Sequence, residues 1–139
     1  MEGKSIHEMK DGDTASFTKT ISEHDVYAYA GITGDFNPVH INTVYASNTM
    51  FNKRIAHGML YAGFISAVLG TQLPGPGAIY VSQQLRFLKP VYIGDTITAE
   101  VEVAHRDEEK NRVRFTTRCM NQDGSLVAEG ESLLMPRRE

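Results

Sequence analysis

An aspartate and a histidine five positions apart, Asp35 and His40, enclose the segment Phe36-Asn37-Pro38-Val39. The two side chains are complementary in proton chemistry. A neutral imidazole accepts or donates a proton near neutral pH, and a carboxylate within reach orients it or shares a water with it. Pro38 restrains Asn37 to an extended conformation, so the stretch reads as a stiff, irregular segment. A second feature is His57-Gly58 at the head of an apolar run. The first N–H groups of a helix lack intrahelical partners and carry partial positive charge, and glycine lets another molecule approach the backbone closely. Such an N-terminus can polarise a carbonyl and stabilise an enolate oxygen. Each feature alone also has a structural explanation: Asp35 as a turn residue bonding its own backbone, His40 as a half-buried ring between Val39 and Ile41, and His57-Gly58 as a tight turn into the helix.

Holding these groups requires defined elements. A strand is predicted over Thr14 to Ile21, followed by a helix that Ser22 caps with Asp25 three residues on and that Gly34 stops. Asn42 caps a short helix running through Thr49. Gly58 to Thr71 is apolar almost all round, the pattern of a central, buried helix, and it ends at the breaker Leu73-Pro74-Gly75-Pro76-Gly77. The period then changes. Ala78 to Leu88, Thr96 to His105, Asn111 to Met120 and Ser125 to Met135 are rich in β-branched and aromatic residues, and turn signals separate them. Alternation is clearest at Ile97, Ala99, Val101 and Val103, as in a half-buried antiparallel strand. The expected class is α+β, one domain spanning residues 1–139, with a curved antiparallel sheet around a central apolar helix that either the sheet or a second subunit must cover.

Composition removes several function classes. The chain is 41% hydrophobic and 22% charged, as expected of a folded globular protein. Its net charge of −3 disfavours non-specific nucleic-acid binding. No apolar signal core follows Met1, and the Met59–Leu69 run is too short for a bilayer, which takes ~20 residues, so a soluble cytoplasmic protein is expected without membrane association. The single Cys119 excludes an intrachain disulfide and favours a reducing compartment. His7, His24 and His105 are scattered without ligand spacing, so no metal is expected. Pro74-Gly75-Pro76-Gly77 lacks the Gly-Lys-Ser/Thr ending of a phosphate loop.

Gly34-Asp35-Phe36-Asn37-Pro38-Val39-His40, followed five residues later by Ala46, resembles the signature of the (R)-specific enoyl-CoA hydratases, the MaoC-like or hydratase-2 group of the hot-dog fold. Ile55-Ala56-His57-Gly58-Met59-Leu60 resembles the start of that family's central helix, and Val91-Tyr92-Ile93-Gly94-Asp95-Thr96 its late turn into a strand. The resemblance implies that Asp35 and His40 are a catalytic pair holding one water, which adds in a syn sense across trans-2-enoyl-CoA to give (R)-3-hydroxyacyl-CoA. It implies that the Gly58 N–H bonds the thioester carbonyl, that Ser66 and Asn37 support the site, and that no cofactor takes part. Coenzyme A carries phosphates, for which Lys53, Arg54, Arg86 and Lys89 are the basic candidates, and Tyr61, Ile65 and Leu69 are the expected walls of the acyl pocket. A homodimer with sheets joined edge to edge is expected by analogy. The pathway would be fatty-acid degradation or polyhydroxyalkanoate synthesis. Three other activities stay open at this point: a dehydratase acting on carrier-protein-bound chains, an acyl-CoA thioesterase on the same fold, and a non-catalytic acyl-thioester-binding domain.

Overall fold

The computed structural model describes residues 1–139. After a 3-10 turn at Ile6–Glu8, the chain forms β1 (Thr14–Thr20), α1 (Glu23–Thr33), α2 (Pro38–Ile41), α3 (Thr43–Ser47), α4 (Gly58–Thr71), β2 (Ile79–Phe87), β3 (Thr96–Asp107), β4 (Arg112–Met120) and β5 (Leu126–Met135).

Local chemistry sets the helix limits. Ser22 Oγ accepts the Asp25 N–H at 3.1 Å while Asp25 Oδ2 accepts the Ser22 N–H at 2.9 Å, satisfying two donors that the first turn of α1 cannot satisfy itself. Gly34 ends the helix in a left-handed conformation, φ 82° and ψ 7°, which a side chain would disfavour. Asn37 caps α2 with Pro38 in its first turn, and Asn42 caps α3 through a 3.0 Å bond from the Tyr45 N–H. The segment expected to be irregular therefore contains one helical turn carrying His40. The reason is the Asn37 cap: proline at the first helical position forfeits only an N–H that would have been unpaired.

The five strands form one antiparallel sheet in the order β1-β3-β4-β5-β2. Register shifts at Tyr80/Ser82, Val103/His105 and Cys119/Met120 bend the strands, as extra residues in a ladder do. The concave face presents Ile97, Ala99, Val101 and Val103 with Val113 and Phe115, all buried, to Tyr61, Ile65, Val68 and Leu69 of α4. This is the hot-dog arrangement. Cys119 lies in the same core, its Sγ 3.9 Å from the Tyr61 carbonyl, and burial pushes its thiol pKa up to about 12.

One expectation needs correcting. The α4 helix is not buried all round, because Met59, Gly63, Ser66, Ala67 and Gly70 form a stripe open to solvent. The pattern looked continuous because four of the five are small residues, whose exposure costs little apolar area. The adjoining strand β2 has one free edge and exposes Ile79, Tyr80, Val81 and Phe87. The sheet covers one side of the helix only.

Candidate active site

His40 is fixed by its own helix and by a loop fifteen residues away. Its ring Nδ1 lies 2.7 Å from the Ile55 carbonyl. A carbonyl can only accept, so Nδ1 carries the proton and Nε2 holds the free lone pair. The loop is itself anchored, since Ile55 N–H donates to the Val39 carbonyl at 3.2 Å and Ala56 N–H to the Val91 carbonyl at 2.7 Å. Burial pushes the His40 pKa below the ordinary histidine value; a positive charge on neighbouring His57 would oppose protonation in the same direction. The bond to Ile55 and the Asp35 carboxylate pull the other way without cancelling the effect. His40 is thus held as a neutral base at pH 7.

Asp35 occupies an exposed loop directly after α1. Its Oδ1 accepts the Asn37 N–H at 3.2 Å, and Asn37 Oδ1 in turn accepts the Val39 N–H at 3.3 Å. The turn explanation and the chemical one are both satisfied, because one carboxylate oxygen shapes the loop and the other is available. Asp35, His40 and His57 each offer a ligand-type atom within 4.8 Å of the others, an oxygen with two imidazoles.

His57 immediately precedes α4 and is 2% exposed. Its Nε2 lies 3.0 Å from the main-chain carbonyl of Asp35, and its ring stacks on His40 with centroids 3.9 Å apart. Sequence reading used this residue only to mark the start of the helix and missed its ring. The signal available was its type: histidine is an unusual residue at a helix N-cap, where Ser, Thr, Asp and Asn are preferred.

Gly58 follows as the first residue of α4, so its N–H has no intrahelical acceptor. A Cβ here would come within 2.6 Å of the Phe87 ring, so the close approach of that ring requires glycine. Gly58 and His40 share the wall of a cavity of about 510 Å³ with Tyr61, Phe87, Lys89 and Val91. Phe87 meets Tyr61 edge-on at 6.0 Å. The cavity is mostly apolar, with His40 and Gly58 in its wall, and suits an acyl chain bearing a polar head.

The other sequence candidates are placed differently. Ser66 lies on the open stripe of α4, in a second groove of about 350 Å³ with Tyr80, Ser82 and Gln83, and does not line the His40 cavity. Ile65 and Leu69 are in the core rather than on the cavity wall, and only Tyr61 of the three expected wall residues lines it. Among the basic residues Lys89 borders the cavity. Lys53 lies over the Tyr92 ring at 4.5 Å. Arg54 is engaged with Glu23 and Tyr27 of α1, and Arg86 pairs with Glu129 on the neighbouring strand β5. Those two guanidiniums are held by carboxylates away from the cavity.

A hot-dog sheet packed on one α-helix, with an Asp/His pair and a glycine at the helix start, defines one class of small domain. Residues 8–124 match the model of the MaoC-like domain, and the chain belongs to that family. It is 57% identical to a Rhodospirillum rubrum protein named (R)-specific enoyl-CoA hydratase, over 94% of this chain and 90% of that one. It is 47% identical to a Methylorubrum extorquens protein named 3-hydroxybutyryl-CoA dehydratase, over 96% and 85% of the two chains. The solved structure of the R-hydratase PhaJ1 from Pseudomonas aeruginosa superposes with a TM-score of 0.93 at 45% identity, covering 99% of this chain and 88% of that one.

Proposed function

We propose that this protein is an (R)-specific enoyl-CoA hydratase, a hydro-lyase that adds water reversibly to trans-2-enoyl-CoA. The observation that carries this reading is the tautomer of His40. With Nδ1–H committed to the Ile55 carbonyl, Nε2 is left as a neutral base on a residue that lines an apolar cavity, close to the Asp35 carboxylate and sharing that wall with Gly58, whose helix N–H is unpaired. Water held between Asp35 and His40 gives a proton to Nε2 as its oxygen attacks C3. Negative charge moves to the thioester oxygen, where the Gly58 N–H receives it. The Asp35–His40 pair then delivers a proton to C2 on the same face, giving syn addition. Asn37 supports the pair by holding the turn between them, and Lys89, on the cavity wall, is the basic candidate for the coenzyme A phosphates.

We further propose that residues 1–139 act as one unit that pairs into a homodimer through the free edge of β2 and the open stripe of α4. Two exposed, adjacent apolar surfaces support this, and unpaired strand edges are where chains join. Sedimentation should give twice the mass of the 15.4 kDa chain. A reducing, cytoplasmic-type compartment fits the single unpaired Cys119.

The deciding experiment follows loss of the conjugated-thioester absorbance of crotonyl-CoA, with product configuration and free thiol measured together. The expected result is (R)-3-hydroxybutyryl-CoA, no thiol, and loss of turnover in Asp35→Asn and His40→Gln. Thiol release would make the protein a thioesterase. No turnover of crotonyl or longer enoyl thioesters would leave it a binding domain.

A further inference from the structure

The site contains two imidazoles, and the hydration chemistry uses only one. The second, His57, stacks on the His40 ring and bonds the backbone of Asp35. Its ring lies against His40 at 3.9 Å with 28° between the planes, and Tyr29 packs on it at 4.7 Å. Its Nε2–H donates to the main-chain carbonyl of Asp35 at 3.0 Å, across twenty-two residues of sequence. That bond fixes the tautomer, since the acceptor is a carbonyl and the proton must sit on Nε2. The remaining nitrogen, Nδ1, is buried without any hydrogen-bond partner. Leaving a polar atom in that state is unfavourable. Phenylalanine would stack as well and carry no orphaned nitrogen, so packing alone does not account for a histidine here.

We infer that His57 is a positioning residue for the hydration step, its Nε2–H holding the Asp35 loop in register with the His40 base. The proposal rests on the hydratase reading and extends it to a residue that touches neither water nor substrate. Without this bond Asp35 is tied down only by contacts within its own exposed loop, from the Thr33 Oγ1 to the Asn37 N–H. The carboxylate would then drift relative to Nε2, and the shared water with it. Misplacement of about 1 Å in such a constellation costs on the order of 10²-fold in rate. Substrate contacts with the cavity wall would be unaffected, so the loss falls on kcat and not on KM.

Two substitutions separate positioning from packing. His57→Gln retains an N–H donor near the Nε2 position and loses the ring; His57→Phe retains the ring and loses the donor. The expected result is that Phe lowers kcat by about 10²-fold with KM within about twofold, while Gln recovers at least tenfold of that loss. Equal activity in the two variants, or higher activity in Phe, would overturn the proposal. A readout on the unmodified protein covers the case in which neither variant folds: 15N spectra of the histidine rings should place the proton of His57 on Nε2 and that of His40 on Nδ1. Finding His57 protonated on Nδ1 instead would also overturn it. Failure of the wild type to hydrate any enoyl thioester, with these tautomers observed, would remove the hydratase reading and leave the geometry standing.

Discussion

The two sides of the site are held in opposite ways. His40 and His57 are buried, and their ring N–H groups end on main-chain carbonyls fifteen and twenty-two residues away in sequence. Asp35 and Asn37 are exposed, and their side chains bond backbone only two residues further along. The imidazole is stripped of water and stays neutral, ready to accept a proton, whereas the carboxylate is left hydrated, where its charge is least costly. Rigidity on the imidazole side comes from the fold around it, and on the carboxylate side from its own loop and the single long-range bond from His57 to the Asp35 carbonyl.

Substitutions on the two sides should therefore differ in size. His40→Gln removes the histidine that lines the cavity and keeps a free ring nitrogen, and should lower kcat by about 10³-fold, within the range for general-base catalysis. Asp35→Asn keeps the loop-shaping acceptor and should cost about 10²-fold. Steady-state kinetics on crotonyl-CoA checks both, and equal losses would break the comparison. The pH profile sharpens it. Because the His40 pKa is depressed by burial, kcat/KM should hold as pH falls through the ordinary histidine range and decline only below it. The unfolded chain binds that proton first, so the stability contributed by neutral His40 is present above the ordinary histidine pKa and is lost as pH drops toward the folded value. Thermal melts across pH 5 to 8 would follow this, and a rise in stability on acidification would contradict it.

Gly58→Ala should have a smaller effect, about tenfold on kcat/KM, because the new methyl meets only the side chain of Phe87, which is partly exposed and can turn away. Gly58→Ala combined with Phe87→Ala should recover activity if the collision is the cause. The smallest effect is expected at Asn37→Ala. Losing the cap of α2 should lower stability by about 1 kcal/mol, as read from denaturant midpoints.

What could be read from the sequence was whatever depends on near neighbours. The Ser22–Asp25 cap, the Gly34 stop, the Asn42 cap and the span of α4 are all decided within four residues, and alternation placed β3 and β4 to within a residue or two. The Asp35, His40 and Gly58 grouping was legible through the motif resemblance; the structure sets Asp35 near His40 and His57, and puts Gly58 with His40 on the cavity wall. The unread parts depend on distance in sequence. Nothing local to His57 points to the Asp35 carbonyl. Ser66 follows Gly58 by eight residues, which turns it about 80° around the helix and onto the open stripe. Arg54 and Arg86 have carboxylate partners, Glu23 and Glu129, that only the tertiary fold brings near.

Cys119 has a practical consequence. With its thiol pKa pushed to about 12 and its sulfur buried in the core, Cys119 carries almost no thiolate at pH 8. The folded protein is nearly silent to disulfide reagents, so any thiol detected in an acyl-CoA assay is coenzyme A. The same silence makes the residue a clock. Under mild denaturant, the rate at which a thiol reagent labels this single sulfur reports how often the sheet opens away from α4.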